Sequence, residues 1–217
     1  MALYLDSALP SDAEIARDLG WVTGITTNPT LLAKSDLPPE ITLKQISAII
    51  DGEVFYQLTA PNLDGMVAEA RIAQDILGDQ TVLKIPATST GFQALARLSK
   101  DIPCSVTAIF HPAQALVALA AGARYAIAYV NRATRLLGDG IGLVREIAEL
   151  LTGSDTKTLA ASIKSPQEAV ATMNAGAHVL TLPLEILQAL PTHPLTEETV
   201  LNFAQTGRGI DFKNTNQ

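Results

Sequence analysis

The amino-acid sequence predicts an α/β protein in which eight parallel strands close into a barrel surrounded by helices. Eight short apolar runs alternate along the whole chain with longer amphipathic stretches, and each run is too short to be a helix. Several runs carry β-branched or aromatic residues, which favours strands, and regular strand–helix alternation implies a parallel sheet. Eight units in 217 residues average about 27 residues each, which fits a compact TIM barrel, a fold with a lower limit of ~200 residues.

The individual elements follow from this alternation in chain order. The predicted strands are Ala2–Leu5, Val22–Ile25, Val54–Tyr56, Val82–Ile85, Pro103–Val106, Tyr125–Val130, Thr158–Ala161 and Ala177–Leu180. Helices are predicted between them, for example over Asp64–Leu77, Gly91–Ser99, Pro112–Ala121, Ile141–Leu151 and Pro166–Asn174. Ser11-Asp12 and Ser165-Pro166 are typical of helix starts, whereas Gly78, Gly122 and Gly176 stand where helices should end.

An open, doubly wound sheet that binds a nucleotide at a switch point is the alternative fold. It would need a glycine-rich turn directly between a strand and a helix, and the nearest candidate is Gly138-Asp139-Gly140-Ile141-Gly142. A third glycine is missing, because position 143 is Leu143, and the segment lies well beyond the end of its strand. We therefore interpret this segment as a loop and helix start, and we favour the barrel.

The composition indicates a single globular domain over residues 1–217. Apolar residues make up 47% of the chain and charged residues 17%, with a mean hydropathy of +0.23, which allows a large core. The net charge of −7 argues against a nucleic-acid or anionic-membrane partner, and the apolar stretch Ala115–Ala123 is too short to span a membrane. The first residues lack the features of a signal peptide and Cys104 is the single cysteine, so we expect a cytoplasmic protein. The polar stretch Gly207–Gln217 is expected to fray or to pack on a neighbouring subunit.

Polar side chains follow the predicted strands at the point where each strand ends. They are Asp6, Thr26, Thr27, Asn28, Gln57, Lys84, Thr107, Tyr129, Asn131, Arg132, Ser162 and Thr181. In a barrel these positions converge on the C-terminal mouth, where active sites are built. For Thr27 or Thr181 alone, a solvated loop explains the pattern. An acid, a lysine and an arginine that emerge from apolar strands instead indicate a site.

Lys84 is the most informative single residue, because it lies inside the otherwise uncharged run Val82-Leu83-Lys84-Ile85-Pro86. A closed barrel has no edge strand on which a lysine could reach solvent. Burial among apolar neighbours favours the neutral amine, which is a nucleophile suited to attack carbonyl carbons. The pattern alone leaves a Schiff-base lysine and a structural lysine as equal alternatives.

Other kinds of chemistry find little support in the sequence. The three histidines are not spaced as metal ligands on a helix, and no Cys/His cluster is present. No serine lies in a nucleophile-elbow motif, and no glycine-rich loop ends in Lys-Ser/Thr. Cys104 lies in a predicted strand and is interpreted as a small core residue. A reaction that needs neither a metal nor a cofactor fits this pattern, and imine chemistry is one of the few that remain.

Six segments carry a resemblance to a known family. They are Tyr4-Leu5-Asp6, Gly24-Ile25-Thr26-Thr27-Asn28-Pro29, Val82-Leu83-Lys84-Ile85-Pro86, Tyr129-Val130-Asn131-Arg132, Leu159-Ala160-Ala161-Ser162 and Thr181-Leu182-Pro183-Leu184. With the flanking matches, the likeness spans residues 4 to about 203 in family order. On these segments the chain resembles the small transaldolase-type class I aldolases, and in particular their fructose-6-phosphate aldolase branch.

The resemblance implies a role for each matching position. Lys84 matches the Schiff-base lysine that attacks the C2 ketone of fructose 6-phosphate, and Asp6 matches the carboxylate that serves proton transfer at the donor hydroxyls. The other matches are a water-holding trio (Gln57, Thr107, Tyr129), a phosphate-binding pair (Arg132, Ser162), two donor-pocket residues (Thr26, Asn28) and the substrate-binding Asn131. The resemblance also implies sugar-phosphate substrates, no cofactor, and ring-like pentamers paired into decamers. In such rings the C-terminal helices, which here begin near residue 195, are exchanged between neighbouring subunits.

Three functions stay open on these grounds: an aldolase that releases dihydroxyacetone, a transaldolase that passes this unit to erythrose 4-phosphate, and a barrel that only binds sugar phosphates. Small transaldolases carry glutamate where this chain has Gln57 and phenylalanine where it has Tyr129, which favours the aldolase. Ser105 and Ile127 depart from the aldolase pattern, in which leucine and alanine are expected. Ser105 stands two residues before Thr107, and Ile127 stands two residues before Tyr129. Because side chains alternate between the two faces of a strand, both are expected to face the barrel interior with these site residues. There they would alter which ketone the enzyme prefers as the donor substrate.

Overall fold

The fold is a closed barrel of eight parallel strands, as given by a computed structural model that describes residues 1–210. The strands are β1 (Ala2–Asp6), β2 (Gly24–Thr26), β3 (Glu53–Gln57), β4 (Thr81–Pro86), β5 (Cys104–Ile109), β6 (Tyr125–Tyr129), β7 (Lys157–Ala161) and β8 (Val179–Leu182). They follow one another around the barrel in chain order, and β8 pairs with β1 to close it. The predicted α/β TIM barrel is confirmed.

Helices connect the strands and cover the outside of the barrel. They are α1 (Pro10–Asp18), α2 (Pro29–Leu32), α3 (Pro39–Ile49), α4 (Leu63–Leu77), α5 (Ser89–Leu98), α6 (Pro112–Ala120), α7 (Val130–Leu137), α8 (Gly140–Leu150), α9 (Pro166–Asn174), α10 (Leu184–Ala189) and α11 (Pro194–Thr206). The predicted strand Tyr125–Val130 is one residue too long, since Val130 already begins α7.

The predicted helix boundaries rest on residues that cap the ends of helices. Ser165 begins α9, where its hydroxyl accepts a hydrogen bond from the backbone N–H of Glu168. Gly78, Gly122 and Gly176 follow α4, α6 and α9 with positive φ angles of +58°, +84° and +101°, which glycine adopts without strain. The predicted start at Ser165 and the three predicted ends are confirmed, whereas α1 begins at Pro10, one residue before the predicted start at Ser11-Asp12.

The glycine-rich segment after α7 is a helix start, as interpreted from the sequence. The carboxylate of Asp139 accepts a hydrogen bond of 2.7 Å from the backbone N–H of Gly142 and so caps α8. Gly140 packs against the carbonyl oxygen of Val130, where a β-carbon would lie only 2.0 Å away. Packing between α7 and α8 therefore accounts for this glycine without a bound phosphate.

The N-terminal end of the barrel is closed by a polar cluster. Glu53 accepts hydrogen bonds of 2.7 Å from the phenol groups of Tyr4 and Tyr125, and its second oxygen lies 2.9 Å from the guanidinium of Arg124. Burial and these hydrogen bonds raise the pKa of Tyr4, so its phenol stays protonated. Phe55 stacks at a tilt between the two tyrosine rings, 5.7 and 5.4 Å from their centroids. Within residues 1–210 these aromatic and polar side chains therefore fill the barrel interior at its N-terminal end.

The last helix, α11, differs from helices α1 to α10 in that none of its residues is buried. Four of its large apolar side chains, Leu195, Val200, Leu201 and Phe203, are each more than half exposed. Part of the predicted tail, residues 211–217, lies outside the described residues. Within residues 1–210 no helix has both the length and the apolar character required to cross a membrane.

Candidate active site

Lys84 lies at the centre of the barrel mouth because of the strand register. Its neighbours across β3 and β5 are Gln57 and Ser105. The side chain is only 2% exposed, and its Nζ donates one hydrogen bond of 3.0 Å to the carbonyl oxygen of Thr27. Within residues 1–210 no carboxylate forms an ion pair with this amine. A buried lysine with a single neutral partner has little structural justification, which favours a chemical use for the amine.

Asp6 lies at the end of β1 and is held by a pair of hydroxyl groups. The hydroxyl of Thr26, its register partner on β2, donates a hydrogen bond of 2.9 Å to the Asp6 carboxylate. The same hydroxyl lies 2.6 Å from the hydroxyl of Thr181 on β8. Both threonines are almost completely buried. The mouth therefore contains a carboxylate that accepts a hydrogen bond from one neutral hydroxyl, which is itself bonded to the hydroxyl of the strand on the other side of β1.

Thr107 and Tyr129 form a second polar group on the other side of the mouth. The hydroxyl of Thr107 donates a hydrogen bond of 3.1 Å to the phenol oxygen of Tyr129. Ala108, directly after Thr107, has a φ of +60° at an irregularity in the β5–β6 pairing. A non-glycine residue in this region carries strain, and such strain is concentrated at functional sites. The Phe110 ring meets the Tyr129 ring edge-on and fixes its plane.

A cavity of about 360 Å³ opens beside these residues. It is lined by Asn28, Gln57, Tyr129 and Arg132, together with the first turn of α2. The guanidinium of Arg132 lies 5.0 Å from the centroid of the Tyr129 ring, a cation–π contact that orients the arginine over the mouth. The cavity thus combines one cation with several hydrogen-bonding groups, the features that a phosphorylated polyol requires.

Asn131 and Ser162 are joined through the backbone rather than through their side chains. The backbone N–H of Asn131 donates to the carbonyl oxygen of Ser162, whereas the Asn131 amide side chain donates to the carboxylate of Glu168 on α9. Ser162, directly after β7, has a φ of +61° and is the second non-glycine residue with a strained backbone, after Ala108 within β5. One side-chain N–H of Asn131 is therefore engaged by the protein, and its predicted contact with substrate stays a prediction.

The loop that follows Gln57 is fixed by Glu69 of α4. The Glu69 carboxylate accepts hydrogen bonds from the phenol of Tyr56, from the hydroxyl and N–H of Thr59, and from the N–H of Ala60, all within 3.0 Å. Burial, followed by the hydrogen bond to Glu69, raises the pKa of Tyr56. This anchor was not anticipated from the sequence, because Glu69 looks there like an ordinary polar position on a helix.

The two positions that depart from the aldolase pattern are both fully buried. Ile127 belongs to the apolar cluster that fills the barrel interior with Phe55 and Leu159, as expected from its parity. The hydroxyl of Ser105 donates a hydrogen bond of 2.9 Å to the carbonyl oxygen of Leu83, one residue before Lys84. The bulkier Ile127 therefore adds apolar volume to the barrel interior, and the smaller Ser105 lies next in register to Lys84.

A larger cleft of about 710 Å³ lies at the opposite end of the barrel and is a weaker candidate site. Its polar lining is already used by the protein: Thr156 donates to the carbonyl oxygen of Ala123, Ser99 donates to that of Ala121, and Arg124 pairs with Glu53. The lining also includes Cys104, whose thiol pKa is raised by burial to about 12. In residues 1–210 no cluster of three or more histidine, cysteine or acidic side chains could hold a metal ion.

Comparison with known proteins identifies the family. A family model described as transaldolase/fructose-6-phosphate aldolase matches residues 3–216. The chain belongs to this family. It is 40% identical over 216 residues to a "probable transaldolase" of Hydrogenobaculum sp., covering 98% of this chain and 99% of the relative. It is also 38% identical over 217 residues to a "probable transaldolase" of Thermoplasma volcanium, covering 97% and 96%. The predicted resemblance is confirmed.

Solved structures support the barrel alone. A mandelate oxidase variant superposes with a TM-score of 0.63 at 19% sequence identity, covering 94% of this chain and 75% of that chain. At this level of identity the likeness concerns the fold and carries no information about the reaction.

Proposed function

We propose that this member of the transaldolase/fructose-6-phosphate aldolase family is a class I aldolase that reversibly cleaves fructose 6-phosphate to dihydroxyacetone and glyceraldehyde 3-phosphate. The observation that carries the proposal is the buried amine of Lys84, held by one carbonyl oxygen and next in register to Gln57. A transaldolase that transfers the dihydroxyacetone unit is the second candidate, supported by the names of the relatives.

Lys84 supplies the electron sink of the proposed reaction. Its amine gives up one proton and attacks the C2 carbonyl carbon, that proton returns to the C2 oxygen, and the oxygen leaves as water, so that a protonated imine remains. When the C3–C4 bond breaks, its electron pair moves through C2 to the imine nitrogen, which gives an enamine and releases glyceraldehyde 3-phosphate. Asp6 contacts the hydroxyls of the three-carbon donor and exchanges protons with them while the imine forms and is hydrolysed.

Gln57, Thr107 and Tyr129 hold a water that moves the remaining proton. During cleavage the C4 hydroxyl gives its proton to this water, which passes a proton on to solvent at the mouth of the barrel. The Tyr129 phenol then donates its own proton through the water to the enamine carbon and regains a proton from solvent. Hydrolysis of the resulting imine then releases dihydroxyacetone and restores Lys84. The bond between the Thr107 hydroxyl and the Tyr129 oxygen supports this role, because it leaves the phenol proton free to be donated.

Borohydride reduction in the presence of dihydroxyacetone tests the imine. We expect one three-carbon adduct per chain, and peptide mapping is expected to place it on Lys84. Borohydride reduces an imine but leaves a non-covalently bound ketone unattached. An adduct on a different lysine, or aldol activity that a chelator abolishes without any adduct, would contradict the proposal.

Replacement of Arg132 by alanine tests the phosphate site. Charge-assisted hydrogen bonds contribute roughly 1.5–3 kcal/mol, so we expect KM for glyceraldehyde 3-phosphate in the condensation direction to rise by about ten- to a hundredfold. KM for unphosphorylated glyceraldehyde should change little. Arg135→Ala is the matched control, since this arginine is exposed on the same helix and does not line the cavity. Equal losses with both aldehydes would show that Arg132 does not read the phosphate.

We also propose that the chain self-associates through α11, in the manner that the family resemblance implies. A 13-residue helix with no buried residue and four exposed apolar side chains gains little stability unless another surface covers it. Sedimentation of the wild-type chain is expected to give a pentamer or decamer. The variant Leu201→Glu with Phe203→Glu is expected to sediment as smaller species, and an unchanged distribution would exclude α11 from the interface. The cytoplasmic location stays a prediction.

A further inference from the structure

Thr181, near the end of β8, has a buried hydroxyl that makes no hydrogen bond to the backbone within residues 1–210. Ser105 on β5 donates to the carbonyl oxygen of Leu83 on β4, whereas Thr156 and Thr27, which lie just outside strands, donate to the carbonyl oxygens of Ala123 and Phe55. In residues 1–210 the hydroxyl of Thr181 instead has a single hydrogen-bond partner, the hydroxyl of Thr26. The Thr181 hydroxyl therefore stabilises no backbone carbonyl.

The direction of this hydrogen bond follows from the chemistry of its neighbours. An ionised carboxylate can only accept hydrogen bonds, so the single proton of the Thr26 hydroxyl is donated to Asp6 at 2.9 Å. The 2.6 Å contact between Thr26 and Thr181 must then be made with the proton of Thr181. The result is a directed chain from the Thr181 hydroxyl through the Thr26 hydroxyl to the Asp6 carboxylate.

The position of the chain in the barrel links three consecutive strands. Thr181 on β8 is in register with Tyr4 of β1, and Thr26 on β2 is in register with Asp6 of β1. The contact between the two threonines thus joins the strands on either side of β1, next to the Asp6 carboxylate that Thr26 contacts. Since Thr26 is 0% and Thr181 1% exposed, water competes little for these bonds, and the low local dielectric strengthens them.

We propose that Thr181 is a positioning residue for the reaction: it polarises Thr26 and thereby holds the Asp6 carboxylate in the orientation in which it meets the hydroxyls of the donor. The inference rests on the proposed aldolase function and adds a residue to it. Thr181 does not touch the substrate; it acts through Thr26 and Asp6. One oxygen of Asp6 is occupied by Thr26, which reserves the other for the donor hydroxyl.

A double-mutant cycle tests the chain. Thr181→Val keeps the shape of the side chain and removes the hydroxyl, and we expect kcat for cleavage of fructose 6-phosphate to fall by about tenfold with little change in KM. Thr181→Ser restores the hydroxyl and is expected to recover most of kcat. In the Asp6→Asn background the same Thr181→Val change is expected to have no further effect, because the group through which it acts is absent.

Thr158→Val is the matched control for this cycle. Thr158 is a fully buried threonine on β7 whose hydroxyl has no hydrogen-bond partner within residues 1–210. Thr158→Val therefore makes the same chemical change at another buried position of the barrel wall, and it is expected to leave kcat unchanged.

The outcomes separate this inference from the proposed function. Suppose that wild-type Lys84 forms the adduct and that Thr181→Val lowers kcat in the Asp6→Asn background as much as in the wild type. This result would overturn the positioning role and leave the proposed function in place. So would a loss that serine fails to restore. A wild-type chain that forms no borohydride adduct at Lys84 would overturn the proposed function, and the positioning role with it.

Discussion

Replacement of Lys84 by methionine is expected to reduce cleavage of fructose 6-phosphate by at least about a thousandfold and to abolish the borohydride adduct. Methionine has a similar length and volume but no nucleophile. Without the imine, the electron pair of the breaking C3–C4 bond has no acceptor at C2, so neither substrate binding nor the Asp6 and Tyr129 groups can replace the lost step.

The same variant is expected to be at least as stable as the wild-type chain. The Lys84 amine is buried with a single hydrogen bond to a carbonyl oxygen and no ion-pair partner in the described part of the chain. Burial of an unpaired polar or charged group costs free energy of folding, and an apolar side chain of similar volume removes that cost. We therefore expect an unfolding free energy that is unchanged or raised by about 1–3 kcal/mol.

Chemical denaturation measures this second effect. Lys44→Met is the matched control, because Lys44 is an exposed lysine of α3, and both its activity and its stability are expected to stay close to those of the wild type. A Lys84→Met chain that retained activity would contradict the imine mechanism. A chain that lost several kcal/mol of stability would show that the amine has mainly a structural role.

The barrel and its central lysine could be predicted because their signals are local. Each strand is a short apolar run with breakers on both sides, and the count of such runs decides between a barrel and an open sheet. Lys84 stands out for the same reason, as a charge inside an uncharged run. Boundaries were less accurate: β6 ends at Tyr129, because the backbone of Val130 already enters α7.

The supporting contacts could not be predicted, because they join residues that are distant in the chain. Thr181 on β8 looks like an ordinary polar strand end until the closure of the barrel brings it within 2.6 Å of Thr26, 155 positions earlier. Glu69 looks like a solvated helix position until the loop after β3 folds back onto it. Thr181 contacts a predicted site residue, and Glu69 contacts the loop beside another. Sequence patterns therefore predicted the candidate site, whereas these contacts are visible only in the tertiary fold.

Gln57 and Tyr129 are expected to determine whether the enamine is protonated or persists until it reacts with a second aldehyde. We expect the wild-type chain to cleave fructose 6-phosphate without an added acceptor. In the double variant Gln57→Glu with Tyr129→Phe, we expect product release to become dependent on erythrose 4-phosphate. The ratio of acceptor-dependent to acceptor-independent turnover should rise by about a hundredfold, the size of effect that general acid–base groups contribute.

The geometry explains why these two changes act together. The Tyr129 phenol accepts the hydrogen bond of Thr107, which leaves its own proton available for a water between it and Gln57. Phenylalanine removes that proton donor, and a glutamate next in register to Lys84 supplies a base where the amide was neutral. The C4 hydroxyl can then still lose its proton, so the enamine forms, but its protonation slows and the enamine persists until an aldehyde arrives.

Coupling of glyceraldehyde 3-phosphate release to a dehydrogenase, with and without erythrose 4-phosphate, measures the ratio. The two single variants separate the loss of the phenol from the gain of the carboxylate, and Gln45→Glu on the exposed side of α3 controls for an added negative charge. If the double variant kept the wild-type ratio, Gln57 and Tyr129 would not control the fate of the enamine. If the wild-type chain itself released product only in the presence of erythrose 4-phosphate, the aldolase proposal would be wrong. The transaldolase proposal would then replace it. In that case the enamine would persist although Tyr129 carries a phenol proton, which means that this proton does not reach the enamine carbon.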